Sequence, residues 1–177
     1  QVAPVCSSAI VCRIYWLGVS QSKTGIAVLA GPPVQIVSLQ IGNDQPVVLF
    51  AGPCQIESAA HARETAAALK AICQKAGVGL IYKSAFDKAN RTSLSSARGV
   101  GLKEGLSILA DIRQTYDLPV LTDLHTAEQC APVAAAVDVL HIPAFLCRQT
   151  AIFLAAGSPG AAAHREHRLL LAPWLIQ

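Results

Sequence analysis

The chain has 177 residues, a formal net charge of +3, 53% hydrophobic residues and 14% charged ones. That length can bury one sizeable core, and the weak, dispersed positive charge leaves no footprint for nucleic acid. No apolar run approaches the roughly 20 residues of a membrane span, so a globular protein with no membrane partner is expected.

Six cysteines (Cys6, Cys12, Cys54, Cys73, Cys130 and Cys147) show no C-x-x-C pairing and fall mostly on apolar periodic positions. They read as reduced, buried thiols in a cytoplasmic protein. The lack of methionine and the glutamine at position 1 point to a chain that does not begin at a natural translation start. Residues 1–33 hold no sustained period. Val11 to Val19 fits a strand or a short helix, and Gly31-Pro32-Pro33 ends it; Ile10 to Val19 is too short and too polar-flanked for a signal peptide. Residues 1–33 are therefore expected to be an appended or poorly ordered segment ahead of a domain over 34–177.

From Val34 the pattern sharpens. Val34 to Leu39, a turn at Gly42-Asn43-Asp44 and Val47 to Phe50 read as a hairpin whose second arm enters the core. A strand–helix alternation follows. Val47 to Ala51 is a buried strand ending at Gly52-Pro53-Cys54. Ser58 suits an N-cap, Ala62, Ala66, Leu69, Cys73 and Ala76 recur at helical spacing, and Gly77 is the stop. Leu80 to Ser84 is the second strand, and Leu102, Leu106, Leu109 and Ile112 mark the second helix. Pro119 to Asp123 is the third strand, with Thr126 capping a third helix; Val137 to Ile142 is the fourth, with a helix over Thr150 to Ala156. Such alternation implies parallel pairing and right-handed crossovers. The expected fold is α/β: a partial (β/α)₈ TIM barrel of the first four to five units with an N-terminal hairpin, because a full barrel needs about 250 residues.

The second strand breaks into a polar run, Lys83 to Ser93, carrying two lysines, an arginine, an asparagine and an aspartate. Lys83 shares a strand face with Ile81, so its amine is buried without a counter-ion unless it sits at the mouth and meets an anion. On chemistry alone the run suits that mouth or a solvated loop with a snorkelling lysine. Asp123 and His125, two apart at the end of the third strand, face one way. Taken alone, His125 reads as a helix-entry residue and Cys54 as a core thiol.

The order of these residues decides between the readings. Lys83-Ser84-Ala85-Phe86-Asp87-Lys88-Ala89-Asn90-Arg91-Thr92-Ser93, followed by Arg98-Gly99-Val100-Gly101-Leu102, closely resembles a signature of the 3-deoxy-D-manno-octulosonate 8-phosphate synthase family. The resemblance covers about Val34 to Trp174 and is strongest from Gln45 to Thr150. It implies condensation of phosphoenolpyruvate with arabinose 5-phosphate. Lys83 and Lys88 would line the phosphoenolpyruvate site, offsetting the repulsion between two anionic substrates, and Ser84 would be a substrate-binding residue. Asn90, Arg91, Thr92 and Ser93 match the part that grips the sugar phosphate, at a site partly completed by a neighbouring subunit, so a homo-oligomer, usually a tetramer, is implied. Leu121-Thr122-Asp123-Leu124-His125 resembles the family's T-D-V-H, which puts Asp123 on sugar hydroxyls and His125 close to the substrates. Pro143 to Thr150 matches P-A-F-L-C-R-Q-T, which brings Arg148 toward a phosphate. Cys54 matches the cysteine ligand of the metal-dependent branch. It is the one ligand of that divalent-metal site in the chain, since the family's other ligands come from strands beyond Gln177.

The chain departs from the pattern at two places. His141 stands where the family usually has glutamine, and a neutral imidazole replaces one amide hydrogen bond but not both. Leu171-Ala172-Pro173-Trp174 resembles the family's L-A-P-W, but the preceding N-V-K-K strand aligns with His164-Arg165-Glu166-His167. Glu166 thereby falls where a lysine would bind phosphoenolpyruvate, as a true substitution or a change of reading frame. A buried carboxylate there would repel the substrate by several kcal/mol. Arg165 and Arg168 are the candidates to stand in; His164 and His167 could mimic a metal pair. Two other functions fit parts of the pattern: the sister synthase using erythrose 4-phosphate, which lacks the F-D-K-A-N-R-T-S run, and an inactive fragment that binds phosphosugars or docks on full-length subunits.

Overall fold

A computed structural model of the chain describes residues 13–14, 33–42, 45–89 and 97–166. In chain order these form β1 (Arg13–Ile14), β2 (Val34–Ile36), β3 (Leu39–Ile41), β4 (Val48–Ala51), α1 (Ala59–Ala76), β5 (Gly79–Lys83), α2 (Leu102–Tyr116), β6 (Val120–Asp123), α3 (Cys130–Ala134, entered through a 3₁₀ turn at Ala127–Gln129), β7 (Val139–Ile142), α4 (Thr150–Gly157) and β8 (Ala162–Arg165). The main sheet runs β1-β4-β5-β6-β7-β8; β4 to β8 pair in parallel, and β1 lies antiparallel against β4. The expected partial barrel is there, with one more strand than the four that were marked by periodicity. Among the described residues no helix is long and apolar enough to cross a membrane.

Local chemistry explains why α1 starts and stops where it does. The Ser58 hydroxyl accepts the His61 N–H at 3.2 Å, and Gly77 turns into the left-handed region at φ 66° so that its own N–H and that of Val78 satisfy the last carbonyls. The hairpin differs from expectation. Its arms are β2 and β3, closed by Val37-Ser38 with Ile36 opposite Leu39, and Val48–Ala51 belongs to the parallel sheet instead. Val37 takes φ 51°, a conformation that β-branched residues avoid, so nothing in its chemistry advertises a turn.

The sheet separates two cores. On the helix side Leu80, Tyr82, Val120, Leu140 and Ile142 pack beneath Ala62, Ala66, Leu109, Ile112 and Ile152. On the other face Val48, Phe50, Ile81, Leu121 and Val139 form a second cluster closed by Ile36 of the hairpin. Side chains alternate along each strand, so two residues beyond this apolar layer β5, β6 and β7 present Lys83, Asp123 and His141 to the same lumen. There the character changes from apolar to ionisable.

Candidate active site

The parallel register sets Asp123 opposite His141 and His141 opposite His164. Lys83 follows Ile81 on the same face of β5. Glu166 lies one residue past β8, but its N–H still bonds to the Ile142 carbonyl at 3.0 Å, which continues the pairing and keeps its side chain in phase with His164. The strand ends thus converge on one cluster. Lys83 Nζ lies 3.5 Å from Asp123 Oδ1 and 3.9 Å from Glu166 Oε1, with these side chains 15%, 9% and 12% exposed. His141 spans the same two carboxylates: Nδ1 is 2.5 Å from Asp123 Oδ1 and Nε2 is 3.2 Å from Glu166 Oε1. Its ring stacks on His164 at 4.9 Å, and Phe50 meets His164 edge-on at 5.5 Å.

Burial alone pushes the Asp123 carboxyl up. The His141 hydrogen bond and the charges of Lys83, His141 and Lys88 overcome that and hold it well below the usual carboxylate range. An ionised Asp123 fixes the imidazole proton on Nδ1 and leaves Nε2 facing Glu166. Among the described residues of the cluster, the formal charges of Lys83 and Lys88 are matched by those of Asp123 and Glu166.

The other candidate residues are placed as follows. Lys88 lies close enough to influence Asp123, on a loop where its N–H bonds to the Arg98 carbonyl at 2.7 Å. That loop is clamped by Asp87 and Arg98 in a two-pronged pair at 2.8 and 2.6 Å. His125 sits half-buried with its ring edge-on to Phe86 at 5.8 Å, and its N–H donates to Gln129 Oε1 at 2.8 Å. Ser84 lies on the helix side of β5, where its buried hydroxyl donates to the Pro53 carbonyl at 2.9 Å; it braces the ends of β4 and β5 rather than joining the cluster. Arg148 is exposed in the turn before α4. Asn90, Arg91, Thr92 and Ser93 lie outside the described residues, as do Arg168, His167 and the Leu171 to Trp174 stretch. Arg165 cannot stand in for a lumenal lysine: strand phase turns it outward, where its guanidinium lies 5.1 Å from the Phe153 ring centre. Cys54 is a free, half-buried thiol, and among the described residues no three His, Cys, Asp or Glu side chains gather as a metal ion requires. The donors described do not fit the metal of the metal-dependent branch. His164, offered by the sequence with His167 as a metal pair, is placed instead as the stacking partner of His141. Its signal was the alternation of His164 and Glu166 at the end of a strand.

A parallel strand–helix half-barrel with its ionisable side chains gathered beyond the carboxyl ends of its strands defines a protein of the (β/α)-barrel class. Residues 21–162 match the DAHP synthetase I family, and the chain belongs to that family. It is 56% identical over 147 residues (83% of this chain and 51% of the relative) to a 2-dehydro-3-deoxyphosphooctonate aldolase of Nitrobacter winogradskyi. It is 55% identical over 141 residues (80% and 50%) to the protein of that name from Granulibacter bethesdensis, and 51% identical over 147 residues (83% and 53%) to that of Brucella ovis. The chain spans about half the length of the curated relatives it matches.

Proposed function

We propose that this chain takes part in the condensation of phosphoenolpyruvate with D-arabinose 5-phosphate to give 3-deoxy-D-manno-octulosonate 8-phosphate and phosphate. The observation that carries this reading is the meeting of Lys83, Asp123 and His141 at the strand ends of a chain more than half identical to relatives named for that phosphooctonate. Carbon 3 of phosphoenolpyruvate attacks the sugar aldehyde, water adds at carbon 2, and cleavage of the C–O bond releases phosphate. Lys83 and Lys88 offset the repulsion between the two anions. Asp123 accepts from sugar hydroxyls, His125 lies beside the substrates, Arg148 approaches a phosphate, and Asn90 to Ser93 grip the sugar phosphate. The same reading places the protein in the cytoplasm as a homo-oligomer, with a product destined for lipopolysaccharide.

Phosphate release from phosphoenolpyruvate with each sugar phosphate, paired with isothermal titration, tests it. Release with arabinose 5-phosphate and none with erythrose 4-phosphate is expected. Preference for erythrose 4-phosphate would assign the chain to aromatic biosynthesis. Binding of both substrates without release would make it a phosphosugar-binding chain that does not turn over.

A further inference from the structure

Lys83 is flanked by Asp123 at 3.5 Å and Glu166 at 3.9 Å, so its charge is matched from two sides before any ligand arrives. His141 joins the same two carboxylates. With its Nδ1–H given to Asp123, Nε2 faces Glu166 Oε1 across 3.2 Å and is buried without a hydrogen bond of its own. Two acceptors that close repel each other unless a proton lies between them, and before a ligand arrives the Lys83 amine beside Glu166 offsets that repulsion.

We propose that the Asp123–His141–Glu166 chain makes anion binding at Lys83 proton-linked: a carboxylate or phosphate ligand takes the Lys83 amine from Glu166, and the site takes up about one proton as it does so. The argument is electrostatic. An ionised Glu166 beside an incoming dianion, in a pocket where the side chains are at most 15% exposed, is a like-charge contact with little solvent to screen it. Protonating Glu166, or the His141 Nε2 that faces it, removes the conflict without moving the backbone. Among the described residues, Lys83 from β5, Asp123 from β6 and His164 from β8 also face this cluster, Lys88 from the loop after β5 acts on Asp123, and Phe50 of β4 covers the far side of His164. Asp123, held well below the usual carboxylate range by His141 and Lys83, keeps its charge. Among the described residues Glu166 is the carboxylate that loses its amine while still facing a lone pair, so the exchangeable proton belongs to its contact with His141. The inference leans on the proposed reaction only in naming phosphoenolpyruvate as one such anion.

Titration calorimetry with sulfate, whose charge is constant near neutral pH, tests it when run in buffers of different ionisation enthalpy, with phosphoenolpyruvate as a second probe. Uptake of about one proton per sulfate is expected near pH 7, with affinity falling up to about tenfold per pH unit above it. Glu166→Gln, which keeps the size of the side chain, should tighten sulfate binding at about pH 8 and lose most of the uptake, while His164→Asn should retain it. Zero uptake by the wild-type chain overturns the proposal whether or not any variant folds. So does an absence of sulfate and phosphoenolpyruvate binding at about pH 6, or an uptake that survives Glu166→Gln and disappears in His164→Asn. Proton uptake without phosphate release in the condensation assay would remove the proposed reaction and leave this inference standing.

Discussion

Asp123 is the residue on which the cluster balances, because one carboxylate oxygen serves both the Lys83 amine and the His141 Nδ1–H. Asp123→Asn keeps the shape but leaves Lys83 facing Glu166 alone and His141 without its anion. A loss of about 3 to 5 kcal/mol in urea unfolding at pH 7 is expected, the range for breaking a buried charge pair from one side. The pH dependence has a definite sign. Asp123 binds its proton less tightly folded than unfolded, so its contribution is complete above its ordinary value of 3.8 and fades as the pH falls below it toward the folded value. The stability gap between wild type and Asp123→Asn should therefore narrow below about pH 4; a gap that stays constant down to about pH 2.5 would show that the charge is not what the variant lost. At this scale Lys83 and Asp123 could be read from residue order alone. The contact between His141 and Glu166 could not, because it depends on the phase of a strand that carries no apolar alternation to announce it: Ala162 to Arg165 buries none of its residues fully.

Among the elements, α1 and the hairpin mark the two ends of legibility. Ser58 and Gly77 are residues whose side chain, or lack of one, performs the capping, so the helix boundaries followed from composition. The hairpin was misplaced because Gly42-Asn43-Asp44 carries every turn preference and a turn bond does close there, from the Gln45 N–H to the Gly42 carbonyl at 3.2 Å, but the paired arms reverse at Val37-Ser38 through a valine held at φ 51°. Tertiary packing explains the choice: that reversal seats Ile36 in the lumenal cluster at the bottom of the barrel. The same contrast gives opposite expectations in thermal melts. Ser58→Ala should cost about 1 kcal/mol by orphaning the His61 N–H, while Val37→Gly should gain up to about 1 kcal/mol by removing left-handed strain at an exposed site. A destabilised Val37→Gly would mean that the valine side chain contributes packing that outweighs its backbone cost.

For the whole molecule, alternation of strands and helices made the parallel half-barrel readable, while the junction between site and scaffold lay in a contact that only coordinates show. Gly52 ends β4 against β5, and a Cβ there would overlap the carbonyl oxygen of Lys83. The obstructing atom is backbone, so relief requires the two strand ends to part, against the Gln55–Ala85 bridge and the Ser84 hydroxyl bond to Pro53 at 2.9 Å. Gly52→Ala is expected to cost about 3 kcal/mol, the upper end of ordinary overpacking. Its second consequence is the diagnostic one. Parting the strands moves Lys83 away from Asp123, so sulfate binding should be lost even in protein that remains folded by circular dichroism. Ser84→Ala separates the two effects: it removes one buried hydrogen bond, at about 1 kcal/mol, without adding an atom between the strands, and should bind sulfate as the wild type does. If Gly52→Ala instead melts and binds like the wild type, the close approach of β4 to Lys83 is not what sets the amine in place. If Ser84→Ala loses binding as fully as Gly52→Ala, the brace to Pro53 rather than the glycine positions the site.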